Sequence, residues 1–214
     1  MLEIDQLTFQ RGQQKYIFHA TASAGCLTLI RGASGIGKST LLDCLAGFET
    51  PTGGVLRWAG QEFQHLAVHE RPLSLLQQSD NLFPHLNVLE NVCLATGGIS
   101  KTGKAQALSV LEQLELHEIA HKSVTDISGG QAQRVGLARS ILRHEHSPRP
   151  ILLLDEPYSA LDEETANRMH DGIRTLCHTH KLCVLFVAHR KVSCDQIWTI
   201  KMQDSTVVLE SNPP

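Results

Sequence analysis

Short apolar runs alternate with polar breaks through the first thirty residues. Residues 2–4 and 7–9 predict a strand, residues 11–13 a turn, and residues 16–18 a second strand. Cys26 to Ile30 is a further apolar run that ends in a Gly-rich turn. A helix is expected after it, with Leu41, Leu42, Leu45 and Phe48 on one face. Residues 49–54, Glu-Thr-Pro-Thr-Gly-Gly, then break the chain. From Asn87 to His146 the spacing is mainly helical. Ala107, Val110, Leu111 and Leu114 mark one helix, and Ala132, Val135, Ala138, Ile141 and Leu142 another. After Pro150 short apolar runs return at residues 151–154 and 183–188, as in parallel strands buried on both faces. Between them Ala166, Met169, Ile173, Leu176 and Cys177 line one side of a helix. This order predicts an α/β fold: N-terminal antiparallel strands, an α/β core over residues 1–86 and 147–214, and an α-helical subdomain inserted at 87–146.

Chemistry enters at the first Gly-rich turn. Gly32-Ala-Ser-Gly-Ile-Gly37-Lys38-Ser39 fits G-x-x-x-x-G-K-[ST], placed after a strand and before a helix as a P-loop requires. Its glycines let the backbone wrap a phosphate, its N–H groups point inward, and the following helix adds the positive end of its dipole. Lys38 can reach the β- and γ-phosphates, and Ser39 can ligate Mg²⁺. The apolar run 151–154 ends in Asp155 and Glu156, at the strand edge where open α/β sheets bind ligands. Asp155 suits a Mg²⁺ shell, and Glu156 suits orienting or deprotonating an attacking water. Together these give a P-loop NTPase core of the RecA-like kind.

Ser128, Gly129, Gly130 and Gln131 open another helix, which also carries Arg134. A Ser-Gly-Gly start is a second anion-binding helix terminus, so one chain offers two phosphate half-sites but one P-loop. Here the chain resembles the ATP-binding cassette ATPases along nearly its whole length. Gln78, with Gln77 as its neighbouring alternative, resembles the Q-loop glutamine. Residues 159–162, Ser-Ala-Leu-Asp, resemble the D-loop, and His189 the switch histidine. The resemblance implies a head-to-tail dimer in which each ATP lies between one P-loop and the partner copy's Ser128–Gln131 segment. It implies catalytic roles for Lys38, Gln78, Glu156 and His189, and metal contacts from Ser39, Gln78 and Asp155. Gly32, Ala33, Ser34, Gly35, Ile36, Gly37, Lys38, Ser39 and Thr40 are expected around the phosphates, with Asp162 nearby. Phe9 is expected against the base, with Tyr16 as the alternative, because Arg11 stands where many relatives carry an aromatic.

Residues 81–92 and the Asp155-Glu-Pro-Tyr-Ser-Ala-Leu-Asp162 stretch are similar to small bacterial importer ATPases of the thiamine, ion and small-solute type. Transmembrane permease subunits are therefore expected partners, with a solute-binding protein reached through them and the Phe83 region near the permease. Ala188-His189-Arg190 departs toward exporter-type cassettes, and the six-position step from His189 to Asp195 predicts a shortened helix there. An exporter-type or non-transport cassette ATPase is the alternative. The chain has no heptad run or tandem cassette, as DNA-repair or translation relatives do, and a small kinase would not need Ser128 to Gly130.

Composition excludes rather than selects. A net charge of −3 and a pI near 6.4 argue against a nucleic-acid surface. No apolar run approaches the ~20 residues of a membrane helix, and the N-terminus lacks a signal-peptide pattern. The expected location is cytoplasmic, peripheral on the inner face of the membrane. The six cysteines form no C-x-x-C pair, and no metal is expected at His144-x-His146 or His178-x-His180. A complete motif set favours two identical copies in the dimer.

Overall fold

The structure is a computed structural model describing residues 1–77, 82–146, 150–159 and 161–212. The chain opens with a hairpin of β1 (Leu2–Arg11) and β2 (Gln14–Ala22), then β3 (Leu27–Arg31) and α1 (Lys38–Ala46). Short strands β4 (Gly53–Trp58), β5 (Gln61–Glu62) and β6 (Leu73–Leu76) follow. Three helices come next, α2 (Val88–Cys93), α3 (Lys101–Gln113) and α4 (Gly129–His146). The chain closes with β7 (Ile151–Asp155), α5 (Glu163–His180), β8 (Cys183–Val187), β9 (Gln196–Gln203) and β10 (Thr206–Asn212).

Among the described residues ten strands join one mixed sheet in the order β5-β4-β1-β2-β10-β9-β3-β8-β7-β6. Strands β9, β3, β8, β7 and β6 run parallel to one another. The far side is antiparallel, except that β10 pairs parallel with β2 and so stitches the two halves together. The central strands read as unbroken apolar runs because both their faces are covered. Leu27, Leu29, Leu152, Leu154, Val184 and Phe186 belong to the core shared with α2–α5. Ile30, Ile151, Leu153, Cys183, Leu185 and Val187 belong to the core shared with α1 and the N-terminal strands. The strict alternation follows from the two-residue period of a strand.

Helix ends are closed by local chemistry. Asn87 and Glu90 form a reciprocal capping box at the start of α2. The last carbonyls of α1 receive a buried guanidinium: Arg71 donates to the oxygens of Cys44 at 2.8 Å and Leu45 at 2.7 Å. Helix α1 stops at Ala46 with Gly47 in a left-handed cap, so Phe48 falls beyond it and is 58% exposed, not on the buried face. Strands β4 to β6 were not anticipated from the pattern. The segment after β8 also differs: residues 189–194 form no helix, and the chain runs directly into β9.

Candidate active site

Four of the sequence-singled segments follow neighbouring parallel strands. The P-loop follows β3, His189 follows β8, Asp155 and Glu156 end β7, and Gln77 follows β6. Parallel strands place all these C-terminal ends on one edge of the sheet. Gln78 lies outside the described residues.

The P-loop is built for close backbone approach. Gly37 precedes α1 with φ of 111°, and a Cβ there would lie 2.7 Å from a ring carbon of Tyr16. A Cβ at Gly32 would lie 2.7 Å from the Ile200 carbonyl oxygen. Neither position admits a side chain without displacement. Lys38 is only 7% exposed, and its Nζ donates to the carbonyls of Gly32 at 3.1 Å and Ala33 at 2.9 Å. The loop thus already holds an ammonium at its centre. Ala33, Ser34, Gly35 and Ser39 are exposed, Ile36 is half-buried, and Thr40 is buried in the first turn of α1.

Three carboxylates gather beside the loop. The Ser39 hydroxyl lies close enough to the Asp155 carboxylate to favour its charged form. Burial raises the pKa of Asp155 and the neighbouring Glu156 charge adds to this, while Ser39 and Lys38 pull it back. Asp43, one turn into α1, is also raised, first by burial and then by the charges of Asp155 and Glu49. A half-buried acidic centre with a hydroxyl fits a hard divalent cation that takes oxygen ligands and keeps waters and phosphates in its shell. Among the described residues no trio of His, Cys, Asp or Glu could make a closed metal cage.

Glu156 and His189 meet directly. His189 Nε2 lies 3.0 Å from Glu156 Oε1. Together with Tyr158, Ser159, Ala188 and Arg190 they line an open cavity of about 150 Å³. Glu156 has φ of 50°, unusual for a residue with a side chain. Below it the Tyr158 hydroxyl pairs with His170 Nδ1 at 2.9 Å, and His170 Nε2 lies 3.2 Å from Ser193 Oγ. Burial lowers the His170 pKa and raises that of Tyr158.

Ser128 and Gln131 bond reciprocally: the Gln131 N–H donates to Ser128 Oγ at 3.2 Å, and the Ser128 N–H to Gln131 Oε1 at 2.9 Å. Ser128 and Gly129 remain exposed at the start of α4, while Gly130 is buried. Asp162 caps α5 by accepting from the Thr165 N–H at 2.9 Å, which lowers its pKa. Phe9 is 3% exposed, stacked on Tyr16 with ring centres 4.4 Å apart, so Tyr16 is the member of the pair that abuts the P-loop. The sequence pattern missed Asp43, His170 and Gln133, whose amide reaches Glu156 from α4. Asp43 and His170 lie in no local motif, and Gln133, although it lies between Gln131 and Arg134, shows its contact with Glu156 only once the fold packs α4 beside the end of β7.

The P-loop after β3 and the acidic end of β7 make this a P-loop NTPase. Comparison with known proteins narrows the class. The sequence pattern of the ABC transporter family matches residues 17–159. Thiamine import ATP-binding protein ThiQ of Jannaschia sp. (strain CCS1) is 35% identical, over 99% of this chain and 93% of that protein. ThiQ of Haemophilus influenzae (strain ATCC 51907 / DSM 11121 / KW20 / Rd) is 40% identical, over 86% of this chain and 87% of its own length. A dimeric post-hydrolysis structure of the ATP-binding cassette MJ0796, bound to ADP and Pi, shares the fold with a TM-score of 0.84 at 26% identity. That match covers 100% of this chain and 98% of the other. The chain belongs to the ABC transporter family and is an ATP-binding ATPase. No described helix is long and apolar enough to cross a membrane.

Proposed function

We infer that this chain hydrolyses Mg·ATP to energise a permease that imports a small solute, with thiamine the first to test. The observation that carries the ATPase step is the Glu156–His189 pair, just past β7 and β8, the two strands next in the sheet to the P-loop strand β3. The solute comes from the names of the relatives at 35% and 40% identity.

Each residue's role follows from its place. The N–H groups of residues 33–40 and the start of α1 hold the phosphates. Lys38 exchanges its bonds to Gly32 and Ala33 for the β- and γ-phosphate oxygens. Ser39 and Asp155 would hold Mg²⁺, with Gln78, which lies outside the described residues, as the further ligand that the family resemblance implies. When bound, the ion neutralises phosphate charge. Glu156 takes a proton from, or orients, the attacking water, and His189 fixes that carboxylate while facing the γ-phosphate. Ser128, Gly129, Gly130 and Gln131 complete the partner copy's site from the exposed start of α4, with Asp162 beside the shared nucleotide. Phe9 backs Tyr16, and the pair borders the base side of the loop. The dimer is of two identical chains, held at the inner face of the cell membrane by the permease.

A groove of about 440 Å³ supports the permease contact. It is lined by Phe48, Phe83, which is 47% exposed, Arg139 and Arg143 among others. Arg139 lies over the Phe83 ring at 5.6 Å. The test is co-purification of tagged Glu156→Gln from membranes with Mg·ATP. Recovery of a multi-spanning permease is expected, and recovery of soluble partners alone would overturn the transport role. Labelled thiamine uptake that persists undiminished in cells lacking the chain would overturn the solute alone.

A further inference from the structure

The backbone of Glu156 is held at both ends. Its φ of 50° is a left-handed conformation that a β-carbon disfavours, so surrounding bonds must maintain it. Its N–H donates to the Val187 carbonyl at 3.1 Å. Its carbonyl accepts from the Ser159 N–H at 3.2 Å, from Ser159 Oγ at 3.1 Å and from Gln133 Nε2 at 3.1 Å. The same Gln133 amide nitrogen also donates to Ser159 Oγ at 3.1 Å. The strand and loop supply the other bonds, whereas Gln133 comes from α4 and is 6% exposed. Its two bonds are therefore made with little competition from water, where a hydrogen bond orients most firmly.

We propose that Gln133 is a positioning residue for hydrolysis: its amide pins the Glu156 peptide and Ser159 to α4, holding the carboxylate in line with His189. This rests on the reading that Glu156 prepares the attacking water. The carboxylate direction is set by the peptide that bears it, and a strained peptide released from one of its anchors relaxes toward ordinary φ values. A small misplacement of a general base costs turnover without changing phosphate binding. Because α4 begins at the Ser128 terminus, the same amide links that terminus to the Glu156 loop inside one chain.

The test uses two variants of the full chain and measures kcat, Mg·ATP affinity and thermal stability. Gln133→Met keeps the length of the side chain and removes both donors. Its kcat should fall ~10-fold while the Kd for Mg·ATP stays within about twofold of wild type. Gln133→Glu keeps the shape but turns an acceptor toward the Glu156 carbonyl when ionised. Protonation restores an O–H donor, so its kcat relative to wild type should rise as pH is lowered through the raised range of a buried carboxyl. A packing role would give no such recovery.

Wild-type kcat in Gln133→Met, or a flat relative pH profile in Gln133→Glu, overturns the proposal. If Gln133→Met does not fold, the Gln133→Glu profile decides alone. Fast turnover in Glu156→Gln would instead sink the reading of Glu156. Slow turnover there, with Gln133→Met normal, would remove only the positioning role.

Discussion

Replacing Lys38 by methionine keeps most of the side-chain stem and deletes the ammonium. In the free protein that ammonium donates to the Gly32 and Ala33 carbonyls at 3.1 and 2.9 Å. A hydrogen bond from a charged donor contributes ~1.5–3 kcal/mol. Ala33 is exposed and Gly32 half-buried, so water replaces part of the loss, leaving about 1–2 kcal/mol for the pair. In a chain of this size each ~1 kcal/mol moves Tm by roughly 2–4 °C. Lys38→Met should therefore melt ~2–8 °C below wild type without nucleotide. Bonds to phosphate are stronger, but wild-type Lys38 must give up loop carbonyls to make them. The net effect on binding is the difference, about 1–2 kcal/mol, or ~5–30-fold in Kd. Calorimetric titration with Mg·ATP and a melting curve without it measure the two quantities separately. A Kd within about twofold of wild type would refute the assignment of Lys38 to the phosphates, whatever the melting temperature does.

Asp155→Asn addresses the pH dependence of stability. Burial raises the folded-state pKa of Asp155, so its ionised form costs stability at pH values above its unfolded-state range. The variant should melt higher than wild type at neutral pH, by a few degrees, and the gain should vanish as pH falls through the carboxylate range. The same variant should lose most Mg²⁺-dependent turnover, and retained turnover would remove Asp155 from the metal site. Ser128→Arg places a bulky cation at the exposed start of α4 and should block ATP-induced dimers in gel filtration. A dimer that survives would sink the composite site.

The chemistry-bearing half of the fold was legible because its signals are contiguous. The P-loop falls in one short stretch between an apolar strand and a helix, and the acids at 155 and 156 close an apolar run. Strands β3, β7 and β8 were readable because burial on both faces leaves them without polar positions. What escaped depends on tertiary context. Gly53 and Gly54 read as a break, yet they begin β4, paired to β1. The parallel pairing of β10 with β2 joins residues from opposite ends of the chain, a contact no local pattern encodes. Phe48 kept the helical spacing but lay past the Gly47 cap. Phe9 and Tyr16 were rivals in sequence and are stacked neighbours in the fold, with Tyr16 nearer the P-loop. Gln133 lies within the Ser128–Arg134 stretch, but its contact with Glu156 appears only when α4 packs beside the end of β7.

The most direct test of the account is ATP turnover by purified Glu156→Gln beside its affinity for Mg·ATP. The amide can still hydrogen-bond His189, so geometry and binding should persist. Turnover should fall by roughly 10²–10⁴-fold, the contribution of a positioned general base. Turnover near that of wild type, with binding intact, would contradict the account.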